Sequence, residues 1–486
     1  MPEQTPTGIM MIAPGTVRPG QPFELGIKVL CDPWEVPWQC YAPPHSGAGV
    51  FNQSPRGSRY LENTPERWTG RLRLTLPDGM EGPEVIDFAD HTGPRGPGDT
   101  RPLGRFGPFK VTRAGHVSVR ATIEGTDIVG TSNAIEATDE LDNRLFWGDT
   151  HSQTFFSDGL RGPEELYDFA RHESFLDFFA LADHVERITD RQWDYFQAVT
   201  GDANDPGHFA TLVGQEWTHK QLGHRNVYYP GDGGPVARCT APDCDTLEKL
   251  YALARRHGAL VIPHHPTNHR MGCDWSKGHD PEVERLVEIY SIWGNSERMA
   301  DQGNPRPILR HGGEVPGQDV ISALKMGRRL GFIGSGDIHD GRPGDEFHNR
   351  HPEQPAWDEL YRQGIVGVWA NELTREAIFD AMWNRRVYAT TGSRTIVKFA
   401  SDTSPMGSVL ARTATAALSF EVAAEVPVSR IDVVKNGDDL VVLEPNEPVV
   451  QWSGHDSTNG QPAWYYIRVT RSDGEMAWSS PIWFTE

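Results

Sequence analysis

From residue 144 onward, short apolar runs alternate with helical segments, and run after run ends in a histidine or a carboxylate. The runs are RLFWG (144–148), FFALAD (178–183), ATLVGQEW (210–217), NVYY (226–229), ALVIPHH (259–265), LVEIYSIW (286–293), GFIGSGD (331–337) and IVGVWA (365–370). Short runs that are apolar on both faces read as strands buried on both sides, and such strands separated by helices build a parallel sheet. The helical segments carry their own punctuation. PEELYDFARHE (163–173) has proline in its first turn. DTLEKLYALARRHG (245–258) opens on an Asp245-x-x-Glu248 capping box and closes on glycine, and DVISALKMGRRLG (319–331) has the same glycine exit. Seven or eight such units predict a closed, TIM-like barrel over 144–394.

The flanks read differently. In 1–143, the segments PFELGIKVL (22–30), RLRLTLP (71–77) and HVSVRATIEG (116–125) alternate apolar and polar residues with period two, between long Pro/Gly-rich loops such as 91–107. After a helix over 374–387, alternation returns in 395–486. It runs through TAALSFEVAAE (415–425), RIDVVKNGDDLVVLE (430–444) with a hairpin signal at Asn436-Gly437, and AWYYIRVTRSDGEMAWSS (463–480). The expected fold class is therefore α/β, with a central barrel flanked by N-terminal and C-terminal β-sandwich-like domains.

Of 19 histidines, 15 lie between His151 and His351, so the imidazoles gather in the barrel segment. Their positions matter more than their number. The first run leads into Asp149 and His151, the second ends at Asp183-His184, the third at Glu216, and the fifth at His264-His265. The seventh leads into Asp337 and His339, and His224 stands just before the fourth. In barrel enzymes the C-terminal strand ends line the active site. One histidine at a strand end is more often structural, but six converging ends need metals or partners for their polar groups. Imidazole and carboxylate without thiolate suit Zn, Mn or Fe. His172, His208, His219, His257, His269, His279, His348 and His351 lack this placement and read as mostly solvent-facing.

A net charge of −21 argues against nucleic acid and anionic membrane as partners and leaves a small molecule as the expected substrate. No apolar run reaches the length of a membrane span, and the first residues lack a signal-peptide pattern, so the expected location is the cytoplasm. The oligomeric state has no signature in the sequence. The five cysteines, Cys31, Cys40, Cys239, Cys244 and Cys273, are too sparse for a disulfide framework. Cys239 and Cys244, close together in CTAPDC, could bridge or bind a metal, but with no second cysteine pair to complete a zinc site the favoured reading is two free thiols.

The set GDTHSQTFFSDG (148–159), LADH (181–184), GQEWT (214–218), GHRNVYY (223–229), PHHP (263–266) and GSGDIH (334–339), with YATTGSR (388–394) and MAWSSPIW (476–483), resembles the PHP superfamily (polymerase and histidinol phosphatase). More closely, it resembles a PHP-related branch known as a domain of unknown function. That resemblance implies a distorted (β/α)7 barrel, two or three divalent ions, and hydrolysis, mostly of phosphoesters. Carried over motif by motif, the implied metal ligands are His151, Gln153, Asp158, His184, Glu216, His224, His265, Asp337 and His339, with Glu216 as the bridge. Gln153 departs from the family's usual histidine and reads as a weak ligand or a substrate contact. The resemblance leaves Glu216, His264 and His339 as catalytic candidates, with His264 or His339 as proton donor. Arg225, Arg342 and Arg394 stand beside motifs and read as anion-binding groups. The expected activity is metal-dependent hydrolysis of a small phosphoester. Other esters, lactones or amides use the same metal logic. The competing class is a non-catalytic metal- or glycan-binding protein.

Overall fold

The computed structural model describes residues 4–35, 61–345 and 360–485. Cys40, His348 and His351 lie outside the described residues. The chain is a mixed α/β protein made mostly of strands with few helices.

Among the described residues, the N-terminal part includes two four-stranded antiparallel sheets, beside a smaller three-stranded one. One has the order Pro6–Ile12, Phe23–Cys31, Leu103–Val111, Met80–Glu81; the other Val129–Thr131, Arg120–Ile123, Arg71–Thr75, Val85–Asp87. Period-two alternation is realised in Arg71–Thr75, where Leu72 and Leu74 are buried and the three other residues exposed. Leu25, Ile27, Leu72, Phe109 and Ala121 belong to one core shared by both sheets.

The central strands depart from an all-parallel sheet. Arg144–Asp149, Phe178–Ala180 and Ala210–His219 pair in parallel, with the helices Pro163–His172 and Asp190–Ala203 between them. Gly223–Tyr229 then returns antiparallel to Ala210–His219, and Leu260–Pro263 pairs antiparallel to it in turn. Residues 220–222 cannot carry a crossover, which takes a dozen or more residues, so a hairpin replaces the expected helical unit. Leu286–Ser291 and Gly331–Gly334 pair in parallel in a separate small sheet. Single parallel bridges, His264 to Glu288 and Ser152 to Ile338, tie that sheet to the strand ends of the first. Ile365–Ala370 runs antiparallel to Arg144–Asp149.

The sheet continues through Val387–Thr390 onto Met476–Ser479, Ala463–Arg471 and the 21-residue strand Thr415–Lys435. Trp147, Trp217, Tyr388, Phe420 and Tyr465 accordingly share one core that spans the central and C-terminal strands. The Asn436-Gly437 signal is realised: both residues take positive φ, 54° and 96°, between Lys435 and its partner Asp438.

The helix Leu247–His257 ends on Gly258 at φ 61°, as its sequence requires. Its N-cap is Thr246 and not Asp245. The Thr246 hydroxyl accepts from Lys249 N, while the Asp245 carboxylate pairs with the Lys249 ammonium. Thr246→Ala is thus expected to cost about 1 kcal/mol in urea unfolding. Asp245→Ala is expected to cost no more than about 0.5 kcal/mol, the worth of an exposed i,i+4 pair. Equal costs would restore Asp245 as the cap.

Candidate metal centre

Each candidate ligand reaches the centre by a traceable local device. His151 follows the strand Arg144–Asp149, and its carbonyl accepts from Asp337 N at 2.7 Å, which joins two ligand-bearing loops. Asp149 reinforces that junction by accepting from His151 N at 3.0 Å and Gly336 N at 2.8 Å. A Cβ at Gly336 would lie 2.7 Å from the Asp149 carboxylate, so only glycine permits this approach. Burial pushes the Asp149 carboxyl up to about 6, against these hydrogen bonds. Asp183 plays a matching part, accepting from Thr154 N, Thr154 Oγ1 and Ser157 Oγ and so holding the loop that carries Asp158.

Glu216 and His224 lie on paired antiparallel strands, in which Glu216 stands opposite Asn226 and Thr218 opposite His224. Their side chains share a face and meet diagonally, His224 Nδ1 lying 2.8 Å from Glu216 Oε1. Consecutive side chains on a strand point to opposite faces, yet His264 and His265 both enter the centre. His265 takes a left-handed φ of 34°, which turns the chain at the strand end and brings the two rings to 4.3 Å. Asp337 is also left-handed, at φ 51°. Non-glycine residues held there cost of order 1–3 kcal/mol each and concentrate at functional sites.

Glu216 is the hub. Its oxygens lie 3.0 Å from His184 Nδ1, 3.5 Å from His151 Nε2 and 3.4 Å from His264 Nε2, besides His224. Burial works to raise its pKa, but His184, His224 and His264 outweigh it and hold the carboxyl well below the usual range. Around the hub stand three groups of ligand atoms, each within 4.8 Å of one another: His224, His264 and His265; His151, His264 and Asp337; Asp158, His184 and His339. All of these residues except His339 are buried. His151 Nε2, both ring nitrogens of His264, Asp337 Oδ2 and Asp158 Oδ1 have no hydrogen-bond partner. Burial drives the His264 imidazole down to about 4, helped by His151.

The structure therefore gathers His151, Asp158, His184, Glu216, His224, His264, His265, Asp337 and His339 in one place. Gln153 is present too, but by its donating end: Nε2 gives a 2.7 Å hydrogen bond to Glu216, and Oε1 accepts from Ser157 Oγ and His184 N. Its amide orients the hub, in place of the ligand or substrate contact expected of it.

The three arginines are corrections. Arg225 follows His224 on a strand, so it points to the other face, where it is buried against Glu284 at 3.3 Å and donates to Leu222 O. Arg342 is buried against Asp345, Glu62 and Asn63. Arg394 is buried and donates to Ser174 O. Guanidinium groups committed to buried protein partners do not serve an incoming anion.

Two participants were missed. Glu288 accepts from or faces His151 Nδ1 at 3.0 Å. Its signal was a lone carboxylate in the apolar run LVEIYSIW. Arg187 pairs with Asp158 at 2.7 Å. Trp293, at the end of the same run as Glu288, lies with its ring 6.4 Å from both His265 and His339 and walls the centre. Among the remaining histidines, His208, His257 and His269 are exposed, while His172, His219 and His279 are half-buried, the last against Glu284. Cys31, Cys239, Cys244 and Cys273 are free thiols. No described helix is long and apolar enough to cross a membrane.

The fold and this cluster define a strand-rich α/β protein with histidine–carboxylate groups that could bind metal. The chain belongs to the family described as protein of unknown function (DUF3604), whose model matches residues 164–303 and 295–435. It is 31% identical over 386 residues to an uncharacterized protein of Chlamydia muridarum, strain MoPn / Nigg, and also 31% identical to one of Chlamydia trachomatis serovar D. Each alignment covers 74% of this chain, which spans 60% of the length of these relatives. Among solved structures, it is similar to a two-domain protein of Bacteroides vulgatus containing a predicted PHP-like metal-dependent phosphoesterase. That match has 16% identity and a TM-score of 0.36, over 70% of this chain and 96% of that one.

Proposed function

We propose that this protein is a metal-dependent hydrolase that holds two or three divalent ions, Zn, Mn or Fe, and acts on a small phosphoester. The observation that carries the reading is the set of buried, unpartnered ligand atoms around Glu216. Buried polar atoms are almost always hydrogen-bonded, and several orphans facing one another fit cations. The donor set of imidazoles and carboxylates, with no thiolate, fits those metals. Bound there, such ions would acidify a water and offset negative charge developing on a phosphoryl oxygen.

The chain's own residues divide the remaining work. Glu216 spans all three ligand groups and fixes their spacing. Gln153 and Glu288 hold Glu216 and His151 in orientation from outside. His264 has a fully buried side chain, whereas that of His339 is 17% exposed, so a substrate would approach the centre from the His339 side. Trp293 shields one side from water. We further propose a distorted (β/α)7 barrel over 144–394, supported by the two parallel bridges that link the strand ends, with flanking β-sandwich-like domains over 1–143 and 395–486. That neither nucleic acid nor an anionic membrane is a partner belongs to the same proposal, on the strength of the net charge of −21.

Metal analysis after chelation and reconstitution with Zn, Mn or Fe tests the reading, alongside a screen of chromogenic phosphate, sulfate and carboxylate esters. The expected result is two or three tightly held ions per chain and turnover of a phosphate ester. Absence of bound metal after reconstitution would return the protein to the binding class, and turnover confined to carboxylate esters would remove the phosphoester.

A further inference from the structure

We infer that Glu62, outside the metal cluster, is a positioning residue for the group Asp158, His184 and His339. The inference rests on the metal reading above. This is the most exposed of the three groups, with His184 and His339 side chains 10% and 17% exposed. Asp158 and His339 are carried by two irregular loops, which lack a continuous ladder of sheet hydrogen bonds to hold them. Three residues beyond each ligand stands a buried arginine, Arg161 after Asp158 and Arg342 after His339, each 1% exposed.

Both arginines turn to the same carboxylate. Arg161 reaches Glu62 Oε1 at 3.3 Å, and Arg342 reaches Glu62 Oε2 at 3.2 Å, one oxygen for each loop. Both guanidinium groups also lie over the ring of Phe169, at 4.5 and 4.7 Å. The loops press together: a Cβ at Gly341, which has φ +77°, would meet Arg161 Cγ at 2.5 Å. Asn63, next in the chain, accepts from Arg342 at 2.9 Å and donates to Asp345 at 3.1 Å, and Lys28 pairs with Asp345 at 3.2 Å. A carboxylate 4% exposed is held by its charged partners and holds them in turn. Glu62 thus clamps the two loops whose tips present Asp158 and His339. Outer groups that orient ligands typically govern metal affinity 10- to 100-fold.

The test is ion stoichiometry and affinity, read by competition with a chromogenic chelator using Mn and Zn separately, in the wild type, Glu62→Gln, Glu62→Asp and Asp158→Asn. The weakest ion should be held about 10- to 100-fold less tightly in Glu62→Gln, with the tighter ions unchanged. Asp158→Asn should weaken the same ion, and Glu62→Asp should restore part of the affinity. Should Glu62→Gln fail to fold, Arg342→Lys keeps the charge but loses the fork and should show the same selective loss. A wild type that takes up no ion defeats the metal reading itself. A wild type with ions held equally well in Glu62→Gln overturns the clamp, as does uniform weakening of every ion, or an Asp158→Asn chain that keeps them all.

Discussion

A Glu216→Gln chain is expected to lose hydrolytic turnover and most of its bound metal, and to remain folded. The substitution is isosteric, so the packing around the fully buried side chain is kept. What changes is charge: four imidazoles within 3.5 Å of Glu216 lose the anion they share. Residues that merely orient metal ligands are worth about 10- to 100-fold in affinity. Loss of the hub should therefore exceed about 100-fold, because it touches all three groups at once. Elemental analysis and turnover on the best ester from the screen would be read together with the melting temperature. Full turnover in a correctly folded variant would remove Glu216 from the chemistry.

The second large effect is on stability. Glu173→Gln is expected to lower unfolding free energy by about 3 kcal/mol, toward the lower end of what breaking a buried ion pair costs. Glu173 is fully buried just beyond the helix Pro163–His172, with Arg101 at 2.7 Å, Arg95 at 2.8 Å and Lys28 at 3.6 Å. Asp99 and Asp345 remain to compensate Arg101 and Lys28, which keeps the loss from being larger. Burial alone would raise the Glu173 carboxyl, but Lys28, Arg101, Arg161 and Arg95 outweigh it and hold it well below the usual range. Its folded value thus lies below the unfolded value of about 4.3. The unfolded chain then binds the proton more readily, so this stabilisation is complete above about pH 5 and fades as pH falls toward the folded value. The variant should show a smaller loss of stability between about pH 5 and pH 3 than the wild type, by urea unfolding. Parallel curves would mean that Glu173 carries no charge in the fold.

Much of the candidate centre was legible because strand ends and period-two spacing are local. His151, His184, Glu216, His265, Asp337 and His339 could be named from the polar residues that close each apolar run. His224 could be named from its place just before such a run, and the family resemblance added Asp158, which sits in a loop without such a signal. Helix starts were equally local, apart from the choice between Asp245 and Thr246, but two ends were not: the helices expected to run to Gly331 and Val387 stop at Lys325 and Trp383, and strands begin at Gly331 and Val387 instead. The three arginines misled because proximity in sequence to a motif does not say which strand face a side chain takes.

By itself, then, the sequence determined a strand-rich α/β chain whose runs deliver imidazoles and carboxylates to their ends, since burial pattern and turn chemistry act over a few residues. Tertiary structure alone decided that Gly223–Tyr229 runs antiparallel, that left-handed backbone at His265 brings two neighbouring histidines inward, and that Glu288 and Glu62 support loops about 140 and 100 to 280 residues away. Those outcomes depend on which buried charges find one another when the chain closes. Desolvation penalises every unpaired alternative, and no local window of sequence contains both partners.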